Sequence, residues 1–181
     1  MGKICIALVA ASLLFGQSIA LAEGGTLWKL ANKTGVIKVF VNQPVNESGQ
    51  GLIADGLKKA IESGLLNRKS TKFEIAKTPA DSDVEINVLI KKFMYMEKGP
   101  LKPTPGLGTT LLDAAATMTE NYAEITADFI VKEVKTGNIL WKDMLNPYLK
   151  KKMQPEDSIP LISDKVASHF VWKCFGKPTL N

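Results

Sequence analysis

Residues 123–141 read AEITADFIVKEVKTGNILW, and this stretch decides the fold class. Apolar and polar side chains alternate along its first half, which is the pattern of a strand with one buried face. The apolar positions are Ala123, Ile125, Ala127, Phe129 and Val131. The alternation ends at Lys135-Thr136-Gly137-Asn138, where glycine supplies the positive φ that a tight hairpin turn requires. We expect the return strand to run from Ile139 to Leu149.

Further strands and two helices are predicted on either side of this hairpin. Runs of β-forming residues between turn residues predict strands at Val36–Val41, Phe73–Ala76 and Val84–Met96. Apolar residues at spacings of three and four predict one helix over Gly51–Leu66 and another after the turn and N-cap residues Gln154–Ser158. The predicted buried stripes are Ile53, Leu57, Ala60, Ile61 and Leu65 in the first helix and Ile159, Ile162, Val166 and Phe170 in the second.

This order of elements predicts an α+β domain. Two helices are expected to pack on one face of a mostly antiparallel four- to five-stranded sheet. We expect a single domain over residues 35–176, because a chain of 181 residues is too short for two well-formed cores. Residues 23–34 are then an N-terminal linker and residues 177–181 a tail.

A Gly- and Pro-rich insertion at residues 99–121 interrupts the strands. Its apolar residues Leu107, Leu111, Leu112 and Met118 lie mostly at helical spacing. Two interpretations stay open. The insertion is either a surface excursion that packs on its own domain, or a protruding arm that contacts a partner subunit or a membrane surface.

The N-terminus has the features of a secretory signal peptide over residues 1–22. Lys3 precedes the apolar run Ile4–Phe15, and Ala20-Leu21-Ala22 supplies small residues for cleavage after Ala22. We therefore expect a periplasmic protein with no transmembrane segment after cleavage; an uncleaved membrane anchor is the alternative. Cleavage removes Cys5, so Cys174 can form no internal disulfide, and its aromatic neighbours favour a buried, inert thiol.

The composition supplies few residues for catalysis. One His, one Arg and two Cys leave little for metal clusters, Cys–His nucleophile pairs or arginine-based phosphate recognition. The glycine-rich Gly106–Thr110 lacks the lysine of a phosphate-binding loop, and His169 has no partner for a triad. Asp81 and Asp83 could chelate a cation, but turn capping is the simpler explanation. We predict no catalytic residue, no cofactor and no metal.

Basic residues collect at two places in the chain. Lys150, Lys151 and Lys152 follow the return strand, and a second group surrounds the end of the first helix: Lys58, Lys59, Arg68, Lys69 and Lys72. These residues form either a solvated surface or an anion site. For an exported protein the anions are lipid headgroups and lipopolysaccharide phosphates, and the compartment excludes nucleic acid.

Several segments together resemble a known family. They are Val36–Asn42, Gly51-Leu52, Phe73–Ala76, Ala80-Asp81 and Lys135–Trp141. Over residues 35–170 the chain is similar to lipopolysaccharide-assembly proteins of the LptE kind and to related small outer-membrane lipoproteins of Gram-negative bacteria. The resemblance implies two helices on a mostly antiparallel sheet, no catalytic residues, and a protein that braces an outer-membrane barrel and can contact lipopolysaccharide. The lipidated cysteine of that family is not found here, so a soluble periplasmic relative is expected.

The residues and the resemblance together predict a non-enzymatic periplasmic accessory protein of outer-membrane or lipopolysaccharide assembly or transport. Its expected partners are an envelope protein, bound through the apolar residues of the insertion, and lipopolysaccharide or anionic lipid, bound through Lys150–Lys152. Two alternatives stay open. One is a carrier of a small apolar ligand, suggested by the cluster Phe93–Met96, and the other is a hydrolase that uses the carboxylates of Asp81 and Asp83.

Overall fold

The computed structural model describes residues 35–69, 71–97 and 121–175. The predicted signal peptide, the N-terminal linker and the C-terminal tail lie outside these residues. The 99–121 insertion also lies outside them, apart from Asn121, which begins a strand.

The described chain folds into seven strands and two α-helices. The strands are β1 (Val36–Val41), β2 (Val45–Asn46), β3 (Lys72–Ile75), β4 (Val84–Met96), β5 (Asn121–Glu133), β6 (Ile139–Leu145) and β7 (Tyr148–Lys151). The helices are α1 (Ile53–Leu66) and α2 (Pro155–Phe175), and a 3-10 turn at Pro79–Asp81 precedes β4. Each predicted strand and helix is therefore present, and the α+β class is confirmed.

The sheet is mixed, with a parallel and an antiparallel half. Its order is β3-β1-β4-β5-β6. Strand β1 runs parallel to both β3 and β4, whereas β5 runs antiparallel to β4 and β6. The prediction of a mostly antiparallel sheet is therefore wrong for the N-terminal half. The reason is α1, because a helical connection carries the chain back across the sheet so that the next strand enters in the same direction.

Two positions in the sheet are each occupied by a strand that is interrupted near a proline. Strands β6 and β7 pair with β5 in one continuous register that is broken at Asn146-Pro147. Strands β1 and β2 similarly follow β4 on either side of Asn42-Gln43-Pro44. Proline has no N–H to donate to the ladder. The seven strands thus fill five positions, in agreement with the predicted strand number, but the predicted return strand to Leu149 is two strands and not one.

A β-bulge explains why the apolar pattern of β4 thickens after Ile90. The ladder between β4 and β5 shifts by one residue between Ile90 and Lys92, so Lys91 is the extra residue. The alternation changes phase at this point. Phe93 and Tyr95 consequently pack against the core, although they lie an odd number of residues after Ile90.

The predicted hairpin turn between β5 and β6 is confirmed. Gly137 adopts φ 72°, and its N–H donates to the carbonyl oxygen of Glu133 at 2.8 Å. A second irregularity follows at the start of β6, where the register shifts between Val131 and Lys132. Leu140 is the extra residue of this bulge, and its side chain is buried.

The core lies between one face of the sheet and the two helices. The buried stripe of α1 contains every residue predicted for it. Phe170 of α2 stacks on Phe129 of β5, with ring centroids 4.8 Å apart. The helices approach closely at Gly56, where a Cβ atom would lie 3.2 Å from Cγ2 of Ile159. Glycine at this position therefore permits the helices to pack against each other.

Polar contacts cross the opposite face of the sheet. Asn42 Nδ2 donates to Asn87 Oδ1 at 2.9 Å, and Lys91 Nζ lies 2.6 Å from Asp128 Oδ2. Cross-strand pairs of opposite charge stabilise a sheet modestly and keep the face hydrated. Their presence gives this face a polar character that the helix-covered face lacks.

Candidate functional site

The predicted site residues fall into two groups. Lys150 and Lys151 lie on β7 and Lys152 follows it, and all three are exposed. Strand β7 pairs with β5 beside β6, so the three lysines lie along one edge of the sheet. The predicted apolar anchors Leu107, Leu111, Leu112 and Met118 lie outside the described residues. Their role stays a prediction.

A groove of about 190 Å³ lies near these lysines, between the β6–β7 connection and α2. We call it the edge groove; its lining residues are Met144, Leu145, Asn146, Pro147, Tyr148, Lys165, His169 and Lys173. Met144 and Tyr148 are 52% and 56% exposed.

Aromatic side chains extend from the groove in two directions. Tyr148 stacks on Tyr122 of β5, with ring centroids 5.8 Å apart and an interplanar angle of 20°. On α2, the ring of His169 meets the ring of Trp172 at 6.2 Å, and Trp172 is 45% exposed. We call Met144, Tyr148, His169 and Trp172 the aromatic edge. A group of large exposed side chains marks an interaction surface more often than isolated ones do.

Two lysines of α2 border the aromatic edge. The Nζ atom of Lys165 donates to the carbonyl oxygen of Tyr148 and lies 5.2 Å from the centroid of the tyrosine ring. The Nζ atom of Lys173 lies 2.9 Å from Asp143 Oδ2. Lys150 and Lys151 lie on the same strand as Tyr148, so lysines lie on both β7 and α2 near these side chains.

Two side chains also form hydrogen bonds with backbone groups at this edge of the sheet. Asp143 Oδ1 accepts a hydrogen bond from the N–H of Met144 at 2.9 Å, and Lys165 occupies the carbonyl oxygen of Tyr148. A strand edge that is blocked in this way does not readily pair with an added strand. A partner at this edge would therefore have to be bound through side chains.

Arg68 does not belong to the basic surface with which the sequence groups it. Its guanidinium caps the C-terminus of α2, where Nη1 donates to the carbonyl of Val171 at 3.1 Å and Nη2 to that of Phe175 at 2.8 Å. A cation at this end stabilises the helix, because it meets carbonyls of the last turn and interacts favourably with the helix dipole. Burial lowers the pKa of Arg68, and the neighbouring Cys174 opposes this change.

Cys174 lies in the core on the last turn of α2. Its side chain is fully buried and unpaired, as the sequence predicts. Burial raises the pKa of the Cys174 thiol well above its ordinary value, and the charge of Arg68 opposes this change. The thiol is therefore kept protonated and away from solvent, which makes it unreactive.

The two candidate carboxylates each accept a hydrogen bond from a nearby donor. Asp81 Oδ2 accepts from Thr78 Oγ1 at 2.7 Å, and Asp83 Oδ2 accepts from the backbone N–H of Lys38 at 2.8 Å. The contact of Asp81 is that of a turn cap, whereas Asp83 binds the backbone of Lys38 on β1 and so joins two strands. Within residues 35–69, 71–97 and 121–175, no group of three His, Cys, Asp or Glu residues is placed to hold a metal ion.

The cluster Phe93–Met96 is divided between two faces of the sheet. Phe93 and Tyr95 pack against the core, and Asn121 Nδ2 donates to Tyr95 Oη at 2.9 Å. Met96 is 44% exposed. The cluster is thus divided between the core and the surface, and core packing accounts for the two residues that the sequence pattern shares with it, Phe93 and Tyr95.

Sequence reasoning did not identify the aromatic edge. Met144 and Tyr148 were assigned to one continuous strand, and Trp172 lies outside the apolar stripe of α2. The available signal was a large apolar side chain at a position where the periodicity predicts a polar one. Only the fold brings the strand end and the helix together.

No protein-family model matches this chain, and no curated protein matches it. Within the described part of the chain, neither helix is long and apolar enough to cross a membrane. Solved structures of bacterial proteins do match in fold. A PelC variant dodecamer from Paraburkholderia phytofirmans is 12% identical with a TM-score of 0.50, and the match covers 78% of this chain and 90% of that one.

Two other structures are also similar. The hypothetical protein CT253 from Chlamydia trachomatis is 8% identical with a TM-score of 0.51, over 80% of this chain and 98% of that one. The lipoprotein GNA1162 from Neisseria meningitidis is 10% identical with a TM-score of 0.42, over 75% of this chain and 98% of that one. At these identities the first two likenesses establish a shared fold alone. This chain thus has the α+β fold of PelC and CT253.

Proposed function

We propose that this protein is a non-enzymatic accessory protein of the bacterial cell envelope that works by binding. It is exported to the periplasm by its N-terminal leader and assists outer-membrane or lipopolysaccharide assembly or transport. The observation that carries the proposal is the aromatic edge, an exposed group of apolar and aromatic side chains bordered by lysines. The resemblance of the sequence to lipopolysaccharide-assembly proteins supports the choice of compartment.

The composition of the aromatic edge favours binding to a macromolecule. Trp, Tyr and Met are enriched at protein interfaces, and Trp and Tyr bury a large area at a low cost in conformational entropy. Lys165 and Lys173 hold neighbouring groups in place through Tyr148 and Asp143. These contacts favour a preformed binding surface. General acid–base catalysis would instead need a group positioned to exchange a proton with a substrate.

In this proposal an envelope protein covers the aromatic edge and Lys150–Lys152 contact an anionic surface. The predicted anchors Leu107, Leu111, Leu112 and Met118 would add to the protein contact. Lysine suits the anionic contact, because its flexible charge meets phosphate groups in many geometries.

Site-specific photocrosslinking in living cells tests the protein contact. A photoreactive amino acid replaces Tyr148 in one variant and Leu66 in the control; Leu66 is 57% exposed at the end of α1. We expect one envelope protein to crosslink in stoichiometric amount at position 148 and not at position 66. The same crosslinked species at both positions would contradict the proposal.

Charge reversal tests the anionic contact. Replacing Lys150, Lys151 and Lys152 by Glu is expected to abolish binding of the purified protein to lipopolysaccharide or anionic lipid. The matched control reverses three exposed lysines of the other basic group, Lys59, Lys69 and Lys72. Unchanged binding in the first variant, or equal losses in the two, would refute this part of the proposal.

A further inference from the structure

We propose that the outer edge of β3 pairs with the same edge of a second copy of this chain. The two β3 strands run antiparallel about a two-fold axis at Phe73, so that Lys72 of each copy lies opposite Glu74 of the other. Strand β3 is at the far end of the strand order from β6 and the aromatic edge. The dimer therefore goes beyond the proposed function and does not depend on it.

The outer edge of β3 is unpaired within the described part of the chain. The neighbour of β3 in the sheet is β1, and the N–H of Ala76 donates to the carbonyl oxygen of Val39 on this inner side at 2.8 Å. Backbone groups of successive residues in a strand point to alternate sides. Those of Phe73 and Ile75 therefore point outward, and no described residue forms a hydrogen bond with them.

The other edge of the sheet is closed to an added strand. There the side chain of Asp143 accepts from the N–H of Met144, and Lys165 donates to the carbonyl oxygen of Tyr148. No such side-chain contact protects the outward groups of β3 among the described residues. A strand edge with free N–H and C=O groups is a template for pairing with another chain. Strand β3 is thus the edge at which this sheet can be extended.

The order of charges on β3 selects one register for this pairing. Lys72 and Glu74 lie on either side of Phe73, and both are exposed. When Phe73 lies directly opposite Phe73 of the second copy, their outward N–H and C=O groups exchange two hydrogen bonds. A two-fold axis at Glu74 would instead place two glutamates together. An axis at Ile75 would require β3 to continue beyond its last residue.

The same register removes the usual obstacle to pairing at an edge that carries lysine. Lysine on a short edge strand normally opposes association with a like strand. Here each Lys72 lies opposite a Glu74, in the non-hydrogen-bonded type of pair in which side chains are closest. Opposite charges at such positions stabilise a sheet. A second copy is therefore favoured over an arbitrary extended segment, because it supplies the complementary charges at both facing positions.

Strand β3 is held on the core before it pairs. Phe73 is 9% exposed, and its ring meets the ring of Phe175 edge-on with centroids 4.9 Å apart. Little ordering entropy therefore remains to be lost when the second strand is added. Because β3 has only four residues, the contact is small, and we expect a weak dimer that depends on protein concentration.

Analytical ultracentrifugation over a range of protein concentrations tests the dimer. The full coding sequence is expressed and the exported protein is purified. We expect a reversible dimer that salt weakens. Lys72→Glu and Glu74→Lys should each weaken association about tenfold, because two facing pairs change from attraction to repulsion. Lys142→Glu is the matched control; it reverses an exposed lysine on β6 and should leave association unchanged.

Mixing the two single variants tests the register. Lys72→Glu leaves two negative charges on β3 and Glu74→Lys leaves two positive charges, so the mixture should form a heterodimer. The variant that carries both changes should dimerise like the unchanged protein, because its facing pairs are again of opposite charge. Circular dichroism establishes that each variant is folded. If Glu74→Lys is not folded, because it places a lysine beside Lys38 of β1, the comparison of Lys72→Glu with the double variant still tests the register.

Hydrogen exchange at the Phe73 amide identifies what covers the edge. Protection that increases with protein concentration is expected for a second copy. Protection in the monomer would show that another segment of the same chain occupies the edge, and would overturn the inference.

Three further results would also overturn it. They are a monomer at every concentration, a dimer that both charge variants leave unchanged, and folded variants whose association neither mixing nor the double change restores. The crosslink expected at position 148 does not involve β3, so any of these results would leave the proposed function intact.

Discussion

Phe129 and Phe170 stack with ring centroids 4.8 Å apart and an interplanar angle of 17°, whereas Tyr122 and Tyr148 stack at 5.8 Å and 20°. We call the first pair the core stack and the second the edge stack. Both phenylalanines are completely buried, but Tyr148 is 56% exposed. A similar ring contact thus stabilises the fold where solvent is excluded, and it lies at the molecular surface where solvent is not excluded.

The two stacks differ because of their positions on β5. Phe129 and Tyr122 are an odd number of residues apart on this strand, so their side chains point to opposite faces of the sheet. Helix α2 covers the face of Phe129. The edge stack lies on the other face, beside the basic strand β7, and this location separates the part of the molecule that folds from the part that we propose binds.

The largest expected effect comes from removing one ring of the core stack. Phe129→Ala should lower the free energy of unfolding by about 3–5 kcal/mol, because it leaves a cavity between β5 and α2. Tyr148→Ala, the matched change in the edge stack, should cost less than about 1 kcal/mol. Urea denaturation followed by circular dichroism measures both, and equal losses would remove the distinction between the stacks.

Arg68 tests whether the end of α2 helps to hold the core stack together. Arg68→Ala should lower the free energy of unfolding by about 1.5–3 kcal/mol, because two carbonyls at the helix end lose a charged donor. Arg68→Lys should recover part of this loss, since one ammonium group cannot reproduce the paired donors of a guanidinium. Denaturation of Lys69→Ala provides the control, and a cost as large for this variant would show that Arg68 has no special role.

The pH dependence of the free energy of unfolding tests the burial of Cys174 in the core. The folded protein keeps the thiol protonated because burial raises its pKa, whereas the unfolded chain loses this proton near the ordinary pKa of about 8.5. The unfolded state then binds fewer protons, so the free energy of unfolding should fall above about pH 8.5, by up to about 1.4 kcal/mol per pH unit. Urea denaturation of the unchanged protein and of Cys174→Ala across this range measures the difference, and parallel curves would contradict it.

The smallest effect on the free energy of unfolding is expected for the ion pair between Lys173 and Asp143. Lys173→Ala breaks an ion pair with Asp143 that is more than one third exposed at each end, so it should cost less than about 1 kcal/mol. High salt should reduce this cost further. A double-mutant cycle with Asp143→Asn isolates the pair. A coupling as large as the loss in Arg68→Ala would mean that the edge also stabilises the fold.

Much of the secondary structure follows from local patterns in the sequence. The periodicity of α1 identified its buried stripe, and Gly137 identified the hairpin turn. The antiparallel assignment of β1 was wrong, because a strand pattern does not specify the direction of its neighbours. Periodicity alone could not identify Lys91 as the bulge residue, since an extra residue is defined only against the partner strand.

The candidate site was only partly predictable. The run Lys150–Lys152 was visible as a cluster of charge, and the structure places it on an exposed edge. Arg68 was grouped with the surface lysines because sequence proximity does not reveal that its partners lie at the end of α2. The aromatic edge was missed because Tyr148 and Trp172 belong to different elements.

By itself the sequence determined the order and type of the elements, the buried stripes and the unpaired thiol of Cys174, because these depend on the spacing of apolar residues and on composition. Tertiary structure decided the mixed strand directions, the cap that Arg68 places on α2, and the meeting of Met144, Tyr148 and His169 at one groove. The physical reason is the distance along the chain between the residues that form each feature. Periodicity reports how one segment divides between core and solvent, whereas a cap or a surface is formed by residues that only the packing of separate segments brings together.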